Sequence, residues 1–301
     1  MLSSLNPSEQ QFLNDLSSIG SRLERAQREI SSGQRVNRVS DDPDQVSTLL
    51  LARASLAGQQ QTQFNLSRVK TETDTAEQTL QTAVQYLDRV QTLGAQGASS
   101  LQTAQERSDM AQEVGSLIQQ MSGLAATRVE GRYIFSGDTD QVAPYTVDLT
   151  QTNPLSVYQG SASTRLVEHP NGTTFTVSRS AQEIFDAADP TQSVFTTVNN
   201  LRTALLNNDD AGIRAAVDGL PKASAYLNSQ LAFYGNTQNR VADATDYGQK
   251  LVLQLQTQVS NIQDADLSTA ALELTQASVQ QQAALQARAQ MPRTNLFSLL
   301  G

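Results

Sequence analysis

The sequence predicts a mainly α-helical protein with a small β-rich central insertion. Its N- and C-terminal segments are expected to form an elongated antiparallel helical rod or coiled coil. Three observations predict this. Apolar residues repeat at heptad spacing near both ends of the 301-residue chain, and a Gly-, Pro- and Thr-rich stretch interrupts the pattern between them. Aromatic residues are only 5% and apolar residues only 38% of the chain, which is too little for one thick core.

The first helix is predicted from an unbroken apolar stripe. Its residues are spaced alternately four and three apart, as in a coiled coil. They are Phe12, Leu16, Ile19, Leu23, Ala26 and Ile30. Gly33 is a natural residue to end this helix. A second helix is expected to start at Pro43 with Asp42 as its N-cap. If it runs to residue 94 it extends about 75 Å, which implies a rod.

Helix is expected again from about residue 104 to 129, and the character of the chain then changes. Short strands are predicted at 164–167 and 173–177, joined by the Asn171-Gly172 turn pair. The helical pattern returns over 194–205 and resumes after Asp210. Pro221 is expected to kink or restart it before a helix over about 223–262. A last helix begins at Leu267 and ends before Pro292.

These elements predict three layers. Residues 1–40 and 263–301 form a terminal coiled-coil layer, residues 41–139 and 181–262 form a helical rod, and residues 140–180 form a small β-rich outer domain. Neither terminal helix can bury its stripe alone, so we expect both to be mobile in the free monomer and to order within an assembly. The candidate assembly residues are Phe12, Leu16, Ile19, Leu23, Ile30, Leu267, Leu274, Leu285, Leu296, Phe297, Leu299 and Leu300. An ordinary intramolecular core remains the alternative for any single stripe.

Composition bears on the possible functions. The chain has no cysteine and one histidine, which excludes thiolate chemistry and disulfides and disfavours a His-based site. No phosphate-binding loop or nucleophile elbow occurs. We therefore expect no enzyme activity, no cofactor and no metal. No segment approaches the length of a membrane span, so no membrane insertion is expected. Residues 1–20 lack the pattern of a cleaved signal peptide.

Charge is unevenly distributed along the chain. The net charge is −9, and residues 71–235 carry all of the excess, with 9 basic and 18 acidic residues. The two ends together hold 12 of each sign, which suits surfaces that pack against copies of themselves. The acidic middle suits a solvated surface. There is no basic stripe, so no nucleic-acid partner is expected.

Several motifs resemble the bacterial flagellin family. Near the N-terminus these are Ile30-Ser31-Ser32-Gly33, Arg35-Val36-Asn37 and Asp41-Asp42-Pro43; near the C-terminus they are Asn239-Arg240 and Ile262-Gln263-Asp264-Ala265-Asp266. Within the family, Arg132-Tyr133-Ile134-Phe135-Ser136-Gly137 followed by Pro144-Tyr145 resembles the hook-associated branch found at the hook–filament junction. A filament flagellin is the alternative within the family. An unrelated secreted coiled-coil adhesin or secretion-tip protein is a more distant one.

The resemblance implies a function and a location. It implies unfolded export by the flagellar type III apparatus and an extracellular place in the flagellum, at the hook–filament junction. The implied partners are copies of the chain, a neighbouring hook-associated protein, flagellin and a cytoplasmic export chaperone. Physically, Asp42, Asp264 and Asp266 are expected to serve as helix caps rather than as a metal or catalytic pair. Tyr133 and Phe135 are expected to anchor the helical rod to the β insertion.

Overall fold

A computed structural model describes residues 7–38 and 40–290, and in that part of the chain helices predominate. The helices are α1 (Pro7–Ser32), α2 (Pro43–Gly97), α3 (Ala104–Ala125), α4 (Ala181–Phe185), α5 (Val194–Leu206), α6 (Asp210–Gln263) and α7 (Leu267–Gln290). The strands are β1 (Arg128–Val129), β2 (Arg132–Tyr133), β3 (Leu166–Glu168) and β4 (Thr174–Thr176). They form two antiparallel hairpins, β1–β2 and β3–β4. The predicted fold class is therefore confirmed.

Helix boundaries follow the local signals in the sequence. Helix α1 ends at Ser32, and Gly33 then adopts a φ of +69°. Helix α2 begins at Pro43, where the Gln45 amide donates to Asp42 Oδ1 over 3.3 Å. Helix α7 begins at Leu267, as its apolar pattern predicted. The hairpin β3–β4 turns through Gly172 at φ +87°.

Two predicted boundaries are wrong. Helix α3 ends at Ala125 rather than Val129, because Glu130 and Gly131 adopt positive φ angles of 51° and 80° and turn β1 back onto β2. Helix α6 neither ends nor restarts at Pro221 but runs continuously from Asp210 to Gln263. Its apolar face is buried on both sides of the proline, and this packing outweighs the ~3 kcal/mol that an internal proline costs. The short helix α4 was not expected from the sequence.

The chain divides into two compact units. The terminal unit comprises residues 1–58 and 251–301, and the central unit comprises residues 59–250. Helices α2 and α6 contribute residues to both. The three-layer division predicted above is finer than this and stays a prediction.

The central unit has an extensive apolar core. Its fully buried side chains come from α2, α3, α5 and α6 together with the loops between them. They include Leu80, Leu87, Leu93, Ile118, Met121, Phe135, Ile184, Phe185, Leu201, Leu205 and Tyr234. A second cluster, formed by Leu66, Val69, Phe175, Val177, Val241 and Ala244, seals the β3–β4 hairpin onto α2 and α6.

A buried arginine joins two turns at one end of the central unit. The side chain of Arg107 on α3 is only 4% exposed. Its guanidinium donates to Asn208 Oδ1 over 2.7 Å and to the carbonyl oxygen of Ser99 over 3.2 Å. It also lies 2.6 Å from Asp210 Oδ1. The turn after α2 and the turn between α5 and α6 therefore share one cation, which neutralises polar groups at both.

The loop that follows β2 requires a glycine at position 137. Gly137 has a φ of +62°, and a Cβ there would lie 2.3 Å from the backbone oxygen of Ser161. The Ser161 amide donates to the Ser136 carbonyl over 2.9 Å, and the Tyr158 hydroxyl lies 3.0 Å from the same Ser161 oxygen. Neither backbone segment can therefore move away to make room for a side chain.

We expect Gly137→Ala to destabilise the central unit more than Gly172→Ala does. Both glycines have positive φ, which costs about 1–2 kcal/mol with a Cβ present, but nothing lies within 4 Å of a Cβ at Gly172. The extra loss in Gly137→Ala, about 1–3 kcal/mol, comes from overpacking alone. Urea unfolding of the two variants measures it. Equal losses would show that the Ser161 contact does not constrain this loop.

Candidate assembly surface in the terminal unit

The motifs from the two ends of the chain meet in the terminal unit. We call this region the joint; it comprises residues 33–38, 40–43 and 262–266. The Arg35 and Val36 amides both donate to the Gln263 carbonyl, over 2.7 and 3.2 Å, and the Ala265 amide donates to Gly33 over 2.9 Å. The connector after α1 thus pairs with the connector between α6 and α7 through backbone hydrogen bonds.

Arg35 bridges three parts of the joint. Its Nη1 donates to Asp42 Oδ2 over 2.9 Å, at the start of α2. Its Nη2 donates to the Ile262 carbonyl over 2.8 Å, in the last turn of α6. A cation at that position also complements the negative end of the helix dipole. The guanidinium therefore ties together two helix ends that have opposite polarity.

The aspartates of the joint act through backbone hydrogen bonds. Asp41 Oδ2 accepts from the Asn37 and Arg38 amides over 3.0 and 2.7 Å, and the bond from Arg38 is the main reason that the Asp41 pKa is lowered. Asp266 accepts from Ser268 and Thr269 at the start of α7, and the Thr269 hydroxyl is the main reason that its pKa is lowered. Asp42 and Asp266 are thus helix caps, in agreement with the expectation from the sequence.

Asp264 differs from the two capping aspartates. It forms a short hydrogen bond with the Ser260 hydroxyl, and its backbone bridges Gln34 in the joint. Across the described ranges, 7–38 and 40–290, no group of three or more His, Asp or Glu residues could hold a metal ion. Among the same residues no helix is long and apolar enough to cross a bilayer.

Helices α1 and α7 pack antiparallel in the terminal unit. On α1 the predicted stripe faces inward: Phe12, Leu16, Ile19 and Leu23 are partly buried and Ala26 is fully buried, whereas Ile30 is 39% exposed. On α7 the buried side chains are Ala270 and Ala277, with Leu274 partly buried beside them. Leu267 and Leu285 are 54% and 51% exposed. The expectation that α1 pairs with these two leucines within the chain is therefore wrong; the smaller alanine face is used.

The described apolar core of the terminal unit is correspondingly thin. Its fully buried apolar side chains are Ala26, Val36, Leu49, Ala52, Ala270 and Ala277, of which four are alanines. Large apolar side chains remain on the outside, namely Leu13, Ile30, Leu50, Leu51, Leu253, Leu267, Leu272, Val279 and Leu285. Such an amount of exposed apolar surface on a small unit is typical of protein–protein contact.

Two ion pairs cross between α1 and α7. Arg22 Nε lies 2.6 Å from Glu273 Oε1, and Arg288 Nη2 lies 2.6 Å from Glu9 Oε1. The Arg22 guanidinium lowers the pKa of Glu273 through its hydrogen bond. All four side chains are roughly 40% exposed, so each pair adds little to stability by itself.

The other candidate residues lie in the central unit or beyond the described residues. Phe135 is fully buried, with its ring edge-on to Tyr234 at 6.3 Å, and its carbonyl accepts from the Ala181 amide. Tyr133 lies beneath the Arg128 guanidinium, 4.0 Å from ring centre to cation, and Arg240 covers the Phe175 ring at 4.5 Å. Asn239 is exposed beside Arg240. Leu296, Phe297, Leu299 and Leu300 lie outside the described residues.

Sequence reasoning missed Arg35 as an individual residue and the alanines of α7. Arg35 was noticed only as part of a motif, and its two partners are 7 and 227 residues away in the chain. The signal for the alanine face was present, since Ala270, Ala277 and Ala284 repeat at heptad spacing. It was hidden by the larger residues that repeat on the neighbouring face.

Comparison with protein families matches both ends of the chain. Residues 4–140 match the bacterial flagellin N-terminal helical region, and residues 217–300 match the bacterial flagellin C-terminal helical region. Together the two matches cover more than half of the chain.

Individual relatives point to the same group. The chain is 24% identical over 283 residues to the flagellar filament 33 kDa core protein of Treponema phagedenis, covering 92% of each chain. The structure resembles that of a protein assigned as a flagellar hook-associated protein of Vibrio parahaemolyticus, with a TM-score of 0.65 and 21% identity over 74% of this chain and 100% of that one. It also resembles Bacillus cereus FlgL, with a TM-score of 0.57 and 22% identity over 69% and 98% of the respective chains.

We expect Arg35→Met to loosen the joint. Methionine keeps the aliphatic stem but loses both charged hydrogen bonds, which at this partly exposed site should cost about 1 kcal/mol. The amides of Arg35, Val36 and Ala265 should then exchange with solvent about fivefold faster. Native-state hydrogen exchange measures this, with exposed Arg38→Met as the control, because that variant keeps the Asp41 contact to the backbone. Unchanged exchange in Arg35→Met would contradict the bridging role.

Proposed function

We propose a structural role at the hook–filament junction of the flagellum for this chain, which belongs to the bacterial flagellin family. In that role it joins the hook side to the flagellin filament and catalyses no reaction. Its neighbours would be copies of itself, an adjoining hook-associated protein and flagellin. We further propose that it is exported to the cell exterior, with a chaperone holding it in the cytoplasm beforehand.

The observation that carries this proposal is the thin core of the terminal unit. Its buried apolar side chains are mainly alanines, while leucines and valines stay on the outside. Covering one such leucine fully is worth up to about 1.5–3 kcal/mol. Contact with neighbouring copies would therefore supply the burial that a single chain lacks, and the terminal helices would be only marginally stable without it.

The outward apolar side chains lie on more than one helix of the terminal unit. Leu272 and Val279 repeat at heptad spacing on α7, and Leu267 and Leu285 flank them. On α2 the neighbouring leucines Leu50 and Leu51 are 58% and 71% exposed. Because these residues are not needed for folding of the chain itself, they are the ones we assign to contacts between subunits. Ile30 belongs with them, since it is the exposed end of the α1 stripe.

Fold likeness favours the junction role over a filament role. Two solved structures of hook-associated type match this chain over 98% or more of their own length. The motif from Arg132 to Gly137 supports the same branch. A filament subunit is the second candidate, because the Treponema phagedenis relative is a filament core protein. The two roles differ in that a filament polymer has no fixed copy number.

We expect Leu267→Asp together with Leu285→Asp to abolish assembly without unfolding the chain. Both side chains are about half exposed, so the dilute protein should keep its helical circular dichroism. In a strain that lacks the gene, this variant should fail to restore filaments attached to hooks. Val157→Asp in the central unit is the matched control, because Val157 is 86% exposed and outside the proposed surface. Normal motility with the double variant would contradict the proposal.

Electron microscopy of the deletion strain distinguishes the two roles. Hooks that lack filaments, with flagellin shed into the medium, are expected for a junction protein. Growth of long filaments from the purified chain on filament seeds would instead identify a filament subunit.

A further inference from the structure

Apolar packing alone does not determine how far α7 slides along α1. On α7 the residues Ala270, Ala277 and Ala284 repeat every seven positions. A slip of one heptad therefore replaces each alanine by another alanine. On α1, Leu16, Leu23 and Ile30 repeat in the same way. The heptad pattern selects which faces meet, but it leaves neighbouring registers with nearly the same apolar burial.

The charges on the two helices are not repeated in this way. Arg22 pairs with Glu273 at 2.6 Å, and its Nη1 also donates to Gln280 Oε1 over 3.2 Å. The residues one heptad to either side of Arg22 are Asp15 and Glu29, which are both acidic. Sliding α7 by seven residues in either direction therefore moves Glu273 from a cation to an acid.

The same slip also removes the partners of the other charged residues. In one direction Arg22 would face Gln280 instead of a carboxylate. In the other it would face Asp266, whose carboxylate already accepts from Ser268 and Thr269 at the start of α7. Arg288 would leave Glu9, which lies 2.6 Å away in the observed register.

We propose that Arg22–Glu273 and Glu9–Arg288 determine the register of the α1–α7 pair, with Asp15 and Glu29 excluding the registers one heptad away. Exposed ion pairs contribute little to stability in absolute terms. Register, however, is a choice between arrangements of similar apolar burial, so a charge difference decides it. This inference goes beyond the proposed function, because it concerns the chain itself and decides which outward leucines are presented side by side.

Distance measurements between spin labels test the register directly. The chain has no cysteine, so introduced cysteines are the only labelling sites. Two labelled versions, Ser17→Cys with Ala271→Cys and Ser17→Cys with Gln286→Cys, place labels at exposed positions on either side of the point that Ser17 faces. A one-heptad slip moves α7 by about 10 Å, so it lengthens one distance and shortens the other. The measurement is made on the dilute full-length chain in sucrose, which favours the folded pair.

We expect one dominant distance in each labelled version of the otherwise unchanged chain. Glu273→Arg should introduce a second population with opposite shifts in the two versions, because the new guanidinium is repelled by Arg22 and attracted by Asp15 or Glu29. Adding Arg22→Glu to that variant should return the original distance as the larger population. The matched control is Glu24→Arg, the same charge reversal at a side chain that is 73% exposed, and it should leave both distances unchanged.

Several results would overturn the inference. They are a chain with no dominant distance before substitution, a Glu273→Arg variant with unchanged distances, and a Glu24→Arg variant with the same shifts. If Glu273→Arg only broadens both distances, the double variant decides: recovery of the original distances supports the inference, and failure to recover them refutes it. Because no flagellar partner is present, these outcomes are independent of the role proposed at the junction.

Discussion

The scarcity of buried apolar side chains in the terminal unit is the constraint on which the other features of this unit depend. Alanine is the main residue enclosed between α1 and α7, so hydrophobic burial there is small. Polar contacts consequently define much of its geometry. Arg35 links the start of α2 to the end of α6, and backbone hydrogen bonds join the two connectors. A unit organised in this way keeps a defined shape while leaving its larger apolar side chains available to other molecules.

Local signals in the sequence were sufficient for many elements. The end of α1 at Gly33 and the start of α2 at Pro43 were predictable, because each depends on the chemistry of one or two adjacent residues. The turn through Gly172 was predictable for the same reason. The capping role of Asp266 followed from its position just before an apolar repeat. Family resemblance added the expected proximity of the chain ends, which no local rule provides.

Other features depended on distant contacts and were not predictable. The helix through Pro221 is maintained by burial against elements that are remote in the sequence. The β1–β2 hairpin needs Glu130 in a left-handed conformation, which a glutamate seldom adopts. The inward face of α7 could not be chosen from periodicity, since leucines and alanines both repeat along it. In each case the competing local arrangements differ little, and tertiary packing or charge decides between them.

Arg107 has a mechanical consequence for the central unit. Its guanidinium binds polar groups from the turn after α2 and from the turn that leads into α6. Pulling these turns apart would leave a buried cation without partners, which is far more unfavourable than losing an exposed contact. The two long helices are thus fastened together at this end like the legs of a clamp. A twisting load applied to one of them is passed to the other rather than absorbed by a flexible loop.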